Sequence, residues 1–531
     1  MTERPAKAFA HYAYRRSADQ DRPQPAHHKV IVVGAGPVGL TLAAQLGQRG
    51  IPVVLLDDSD RIGDGSRAIC FSKRSLEILD RVGVGERAVA KGVQWSVGKV
   101  FHRDALLYRF DLLPEPGHKM PAFINLQQYY LEKYLIDRIE ALPAIDLRWR
   151  NRVSAVANRG GAAEIGIETP DGPYRLTADW VIACDGSRSA VRDLLGIPFT
   201  GEAFEDQFLI ADVKMTAAFP TERWFWFEPP FHSGQSALLH KQPDDVWRID
   251  LQLSPTADAE QERRPEVVRP RLERMLGHAD FDLEWVSIYR FQCCRIASFV
   301  HDRVVFAGDS AHQVSPFGAR GANSGIQDAD NLSWKLAAIL RGTAPASLMA
   351  TYDSERSQAA DENILHSTRS TDFIAPHTAA EKALRDAVLG LAGGLEFAKR
   401  MVNSGRLSLP TAYRASPLST PDTATDAWAG GPAAGASIPD APLAGVAGKS
   451  FLSETLGDDF TLLLAGIDTP DCPPGVSAVR IGIDGNREFA GRFDARPGTA
   501  YLVRPDGHVA ARWRTPNRRT IEDALHRALG R

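Results

Sequence analysis

Three glycines, Gly34, Gly36 and Gly39, follow the β-branched run of residues 29–33 in the spacing G-x-G-x-x-G. Glycines so spaced allow a tight turn, a close approach of backbone to pyrophosphate, and a helix packed hard against a strand. The helix that follows presents its positive end to the phosphate charge. Ala35 and Pro37 complete the turn and count with the glycines as cofactor-binding residues. A second apolar run, residues 51–56, ends in Asp57. That acid stands about 20 residues beyond the glycines, where a carboxylate takes ribose hydroxyls. The glycine spacing alone is weak. Strand, turn, helix, strand and acid in that order make it a dinucleotide site, although they do not separate NAD from FAD.

Two later stretches carry matching chemistry. Residues 180–184 form an apolar strand that runs into Asp185 and Gly186 and then a helix. Residues 304–307 run into Gly308 and Asp309, then a loop with Pro316, Gly318 and Gly321, then a long helix beginning near Asn323. Loop glycines ahead of a helix N-terminus suit an electron-rich group held by backbone N–H donors. A second G-x-G-x-x-G on a strand–turn–helix is absent, as are zinc-ligand spacing and a G-x-S-x-G elbow. The five cysteines include no C-x-x-C and fit a reducing, cytoplasmic setting.

The elements that must position these residues fill a chain of 531 residues, long enough for two or three domains. The apolar fraction of 44 % is that of a globular protein, and a net charge of −4 draws it to neither nucleic acid nor anionic membrane. No run of about 18 apolar residues suggests a membrane span. Residues 1–28, rich in charge, His and Pro, read as a flexible leader. Residues 222–253 alternate aromatic and β-branched stretches with Pro-rich turns, the pattern of an antiparallel sheet, and residues 97–110 suggest a further strand. Within that sheet Trp224, Phe225, Trp226 and Phe227 are core aromatics or substrate contacts. His240 is a polar pocket candidate, as are His102, Tyr108, His232 and Tyr289. Residues 409–445, rich in Pro, Ala, Gly and Thr, read as a linker. Strand-like runs follow, with Pro505-Asp506-Gly507 as a hairpin turn and Thr520 as the N-cap of a closing amphipathic helix.

Together the glycine fingerprint, the Asp185-Gly186 pair and the Gly308-Asp309 pair resemble the FAD-dependent aromatic hydroxylases, single-component flavoprotein monooxygenases of the para-hydroxybenzoate and phenol hydroxylase type. The resemblance covers residues 29–400 and includes the stretches SRAICFSKRSLEIL and QQYYLEKYL. It implies an α/β chain with a Rossmann-like FAD-binding fold, an inserted antiparallel substrate sheet and a C-terminal thioredoxin-like domain. The FAD-binding part would take residues 29–95, 125–200 and 295–400, and the substrate sheet residues 96–124 and 201–294. Residues 401–445 would be a helix end and linker, and residues 446–531 the thioredoxin-like domain, with a lone Cys472 and hence no thiol redox role.

By the same resemblance Gly34, Gly36 and Gly39 approach the FAD pyrophosphate, Asp57 holds the adenosine ribose, and Arg67 and Gln128 flank the cofactor. Asp185 and Gly186 serve both FAD and NAD(P)H, and Gly308 and Asp309 meet the ribityl or ribose hydroxyls. Pro316 turns its carbonyl toward the reaction site, while Gly321, Ala322 and Asn323 give N–H groups to the flavin pyrimidine edge. Arg67 and Pro316 are the residues nearest the chemistry, and Trp224, Trp226 and His240 the substrate-contact candidates. The implied reaction uses NADH or NADPH and O2 to hydroxylate a small phenolic aromatic through a C4a-hydroperoxyflavin. The same analogy gives a homodimer. Two rivals on this scaffold are oxidation of a polycyclic natural product, by epoxidation or Baeyer–Villiger insertion, and flavin-dependent halogenation. Residues 224–229, WFWFEP, come near the halogenase pattern W-x-W-x-I-P, with Glu228 in place of isoleucine. A flavin-binding regulatory protein without turnover is a third rival, from another class.

Overall fold

The last four residues of Ala26–Val33 (β1) are buried on both faces, which is why that sequence is a continuous apolar run. The computed structural model describes residues 11–63, 68–217, 219–402, 407–423, 426–467 and 471–531. After β1 come Pro37–Gln48 (α1), Val53–Leu56 (β2), Cys70–Ser72 (β3) and Lys73–Arg81 (α2). Val97–His102 (β4) and Ala105–Asp111 (β5) form a hairpin, followed by Phe123–Asn125 (β6), Gln128–Glu140 (α3) and Ile145–Arg148 (β7). Gly172–Ala183 (β8) leads into Ala190–Leu194 (α4). A long antiparallel stretch follows: Thr200–Lys214 (β9), Arg223–Phe227 (β10), Ser236–Lys241 (β11) and Val246–Leu253 (β12). Pro265–Leu276 (α5) covers its back, and Asp282–Arg295 (β13) completes it. Val304–Phe306 (β14) returns to the first sheet, ahead of Gly321–Leu340 (α6) and Met349–Ile374 (α7). The chain closes with Phe460–Ala465 (β15), Val476–Ile481 (β16), Ala500–Val503 (β17), Val509–Trp513 (β18) and Arg518–Ala528 (α8).

Of the four sheets among the described residues, three organise the molecule, and the fourth is a small one that pairs β3 with β6. Strands β14, β8, β1, β2 and β7 lie in that order and all run parallel, so the turn after β1 opens at their carboxyl ends. The second sheet runs β13, β9, β12, β11, β10, β4, β5 and is antiparallel except where β10 meets β4. Strand alternation gives it two buried faces. One, with Leu239, Trp247, Ile249 and Leu251, packs on α5. The other, with Val100, Phe225, Phe227 and Leu238, packs on Phe317, Ile374 and Leu389. The third sheet, β16, β15, β17, β18, pairs its first two strands parallel and the rest antiparallel, as a thioredoxin-like domain does.

Three sequence expectations change. Residues 11–28 are not a loose leader: Tyr12 stacks on Trp149 with ring centroids 4.6 Å apart, and buried Asp19 accepts from Arg148 at 2.6 Å. The composition of residues 409–445 suggested a free linker, but Tyr413 is fully buried and accepts from Arg356 at 2.5 Å. The cap of α8 is Asn517, with Thr520 three residues inside it in a capping box.

Candidate active site

The turn after β1 is built around close approaches. Gly34 has φ +102°, and a Cβ there would lie 2.5 Å from the Cys184 carbonyl oxygen. A Cβ on Gly39 would lie 2.0 Å from the Gly34 carbonyl oxygen, so helix and strand touch through these glycines. Gly36 differs: nothing lies within 4 Å of where its Cβ would be. That open space sits at the N-cap of α1, which no side chain caps, with Pro37 in the first turn. An anion there meets unsatisfied N–H groups and the positive end of the helix. Asp57 closes the turn from β2: its carboxylate accepts from Ala35 N–H at 2.7 Å and from Ser59 N–H at 2.8 Å. Burial pushes its pKa up, against the pull of those two donors.

The Gly308-Asp309 turn is held by residues that sequence reasoning missed. Asp328, on the second turn of α6, accepts from the Gly308 N–H at 2.8 Å. It also pairs with Arg356 at 2.5 Å and His312 at 2.7 Å, and all three are almost fully buried. Burial would raise the Asp328 pKa, but Arg356 and His312 outweigh it and hold the carboxylate ionised. Asp328, Arg356 and His312 together thereby lock the turn that presents Asp309 at the surface. Two acids close together in the helical stretch GIQDADNL, Asp328 and Asp330, were the available signal.

The start of α6 lies beside this turn. No side chain caps Gly321, Ala322 or Asn323, so the N-terminal N–H groups of α6 have no side-chain acceptor at its cap. The Asn323 side chain has another task. It accepts from Ser72 N–H at 2.9 Å and donates to the Cys70 carbonyl at 2.9 Å, stitching β3 to the helix start. Gln128 accepts from Ala68 N–H at 3.1 Å and so anchors the chain just after Arg67, which itself lies outside the described residues. Asp185 caps α4 through Val191 N–H at 3.0 Å, and Gly186 follows at φ +78°. Pro316 is exposed, and its carbonyl accepts from Ala319 N–H at 3.1 Å, closing the loop.

Below that loop lies a cavity walled by Arg223, Phe225, Phe227, Phe317, Gly318 and Ile374. Strand parity corrects one expectation here. Trp224 and Trp226 point to the opposite face, where Trp226 stacks on Phe101 with centroids 5.2 Å apart and Trp224 donates to Glu222 at 2.7 Å. Phe225, Phe227 and Arg223 are the residues that reach the cavity. His240 is on the cavity side of the sheet, 2 % exposed, with Nδ1 unpartnered. Tyr108 and Tyr289 belong to the same apolar cluster, whereas His232 is occupied by the Gln252 carbonyl at 2.5 Å.

An open glycine turn at an uncapped helix, a second uncapped helix beside a locked Gly-Asp turn, and a ring-lined cavity between the substrate sheet and the loop before that second helix define a flavin-dependent oxygenase fold. The residues present fit FAD: the space over Gly36 accommodates a pyrophosphate, and the start of α6 offers donors to a ring edge. Comparison with known proteins agrees. The model of the FAD-binding domain family matches residues 27–367, and that of the C-terminal domain of aromatic-ring hydroxylases matches residues 431–531. The chain belongs to this family of FAD-dependent aromatic-ring hydroxylases. It is 31 % identical to 6-methylpretetramide 4-monooxygenase of Streptomyces rimosus, over 94 % of this chain and 93 % of that one. It is 28 % identical to a 3-(3-hydroxy-phenyl)propionate/3-hydroxycinnamic acid hydroxylase of Mycolicibacterium smegmatis, over 70 % of this chain and 66 % of that one. Among solved structures, the flavin-dependent monooxygenase PieE, in complex with FAD and substrate, superposes with a TM-score of 0.80 at 22 % identity, covering 96 % of this chain and 100 % of that one. Among the described residues no helix is long and apolar enough to cross a membrane, and no cluster of His, Cys, Asp and Glu suits a metal.

Proposed function

We propose that the protein uses NAD(P)H and O2 to hydroxylate a phenolic aromatic bound in the cavity between β10 and the loop before α6. The observation that carries this reading is the cavity itself. Its walls are the rings of Phe225, Phe227 and Phe317, its roof includes Gly318, and α6 begins three residues further on. When bound, FAD supplies the redox chemistry that activates oxygen. The chain supplies the rest. The open turn at Gly36 and the start of α1 take the pyrophosphate, and Asp57, Gln128 and Asp309 hold the nucleotide and ribityl arms. The N–H groups of Gly321, Ala322 and Asn323 favour negative charge at the pyrimidine edge of a reduced flavin. The phenylalanine rings orient a flat substrate and exclude water from the reacting centre.

A polycyclic aromatic is the second substrate reading. It is favoured by likeness along nearly the whole chain, C-terminal domain included, to a relative named for a 6-methylpretetramide substrate. The test is direct. The purified protein should show a bound-flavin absorbance spectrum. NADH or NADPH oxidation should be stimulated by a member of a panel of phenols and polycyclic phenols, with a product heavier by one oxygen. A colourless protein that cannot be reconstituted with FAD sinks the reading.

A further inference from the structure

Arg223, His240 and Asp250 sit on the cavity side of three consecutive strands, β10, β11 and β12. Register places Arg223 beside His240, since Trp224 pairs with Leu239. His240 pairs with Arg248, and Asp250 lies opposite Leu238, one row along on the same face. Among the described residues none of the three side chains makes a hydrogen bond or an ion pair, and both His240 Nδ1 and Asp250 Oδ1 are sealed from solvent without a partner. Arg223 is 9 % exposed and His240 2 %. Asp250 retains some accessible area while its Oδ1 is sealed. Arg223 lines the cavity directly.

The neighbours on this face are accounted for. Arg248 is neutralised by Asp212 on β9 through bonds from Nε and Nη2, both 2.8 Å. Tyr289 on β13 lies within the field of Arg248, and Cys70 on β3 lies within the fields of Arg223, Arg248 and Asp250. Burial, reinforced by the charges of Arg223 and Arg248, keeps His240 neutral. Burial likewise pushes the Asp250 carboxyl up to about 6, against the pull of Arg248 and Arg223. What remains is one unpaired guanidinium and one unpaired carboxylate, near enough to feel each other's charge but not in contact. Unpaired buried charges are costly, and side chains left so at a cavity mark a place for a ligand to complete.

We propose that Asp250 accepts the proton of the substrate's phenolic hydroxyl and that Arg223 holds the phenolate oxygen so formed. This inference rests on the phenol-hydroxylase reading of the cavity. The phenol O–H bond breaks, an Asp250 O–H bond forms, and the negative charge moves from Asp250 to the phenolate. The net charge of the site is unchanged, so the transfer adds no new charge to a dry pocket. The ring becomes electron-rich, as attack on activated oxygen requires.

The test uses the full-length holoenzyme with 4-nitrophenol, whose yellow phenolate and colourless phenol report their own protonation. Below the probe's own pKa, wild type at saturating probe should show the phenolate band. Asp250→Asn should bind the probe as the neutral phenol, and Arg223→Gln should bind it at least tenfold more weakly. Both variants should unfold at a temperature no lower than ligand-free wild type, because each removes an unsatisfied charge. Absence of a phenolate band in wild type, or a band unchanged in Asp250→Asn, overturns the proposal. So does a marked loss of thermal stability in Arg223→Gln, which would mean that the guanidinium is a structural partner. None of these readouts needs turnover. A phenolate band without oxygenated product would leave this site standing and fault the hydroxylase reading. Hydroxylation with a pH profile unmoved by Asp250→Asn would do the reverse.

Discussion

Glu355 on α7 and Arg504 at the end of β17 face each other through two hydrogen bonds, Nη1 to Oε1 at 2.7 Å and Nη2 to Oε2 at 2.9 Å. Both side chains are 1 % exposed, so the pair joins the FAD-binding and C-terminal domains in a dry interior. Lys335 and Ser416 donate to the same carboxylate, and Arg74 reaches the Asp506 carbonyl at the tip of the hairpin. The C-terminal domain is therefore keyed into the core by charge, through a turn that usually lies in solvent.

Removing Arg504 takes the bidentate partner from Glu355 and the guanidinium from buried Asp506, and breaking a buried pair from one side typically costs about 3–5 kcal/mol. Arg504→Met is expected to lose stability on that scale in urea unfolding. The pH dependence has a defined sign. Burial would raise the Glu355 pKa, but Arg504 and Lys335 outweigh it and hold the carboxyl far below its ordinary value. Its contribution is present above the unfolded carboxyl pKa of about 4.3 and is lost as pH falls below that. Acid unfolding of Arg504→Met should therefore begin at higher pH than in wild type.

The glycine turn gives a prediction that separates folding from cofactor binding. Gly36 has ordinary φ and open space around its Cβ position. Gly36→Val should fold with an unfolding temperature within a few degrees of the wild-type apoprotein. It should bind FAD at least about 100-fold more weakly in a fluorescence titration, since the branched side chain would fill the space over the helix end. Gly34→Ala has no such freedom, with a left-handed φ and a Cβ 2.5 Å from a carbonyl oxygen, and is expected to destabilise the apoprotein itself.

The dinucleotide turn was legible because its signals are local: strand, glycines, helix and acid lie within residues 29–57. The substrate sheet was legible as a sheet and not as a surface, because parity within "RWFWF" cannot be read without knowing which face meets the loop before α6. The largest rings, Trp224 and Trp226, drew the expectation to the wrong face. Arg223, Asp250, Asp328 and Arg356 were invisible for a different reason. Each matters through partners, or a lack of partners, far along the chain, and no spacing encodes that. The tail misled in another way. A composition typical of a free linker lies flat against the core because Tyr413 and Leu418 anchor it.

Parity can be tested on β10. Phe225→Ala removes a ring from the cavity wall and should raise the substrate KM or redirect oxygenation, with the flavin spectrum retained. Trp226→Ala removes a ring from the opposite face, where it stacks on Phe101, and should cost about 3 kcal/mol of stability with KM little changed. The reverse assignment of effects would mean that the cavity lies on the other side of the sheet.

The ligand-free protein should also reveal the unpaired carboxylate. Asp250 titrates near 6 in the folded chain because burial disfavours its charge, whereas in the unfolded chain it titrates near 3.8. Between those values the folded state binds more protons, so this group's effect on stability is absent below about pH 4 and grows to a cost on the order of 3 kcal/mol above pH 6. Urea unfolding of wild type and Asp250→Asn at intervals across that range isolates the group, since other carboxyls titrate alike in both. The difference in stability should move in favour of the variant as pH rises. A saturating phenolic ligand should shrink that difference, because the proton it delivers to Asp250 removes the charge that made the folded state costly. A difference that stays flat with pH would mean that Asp250 is already paired in the folded chain, and that the cavity face holds no base.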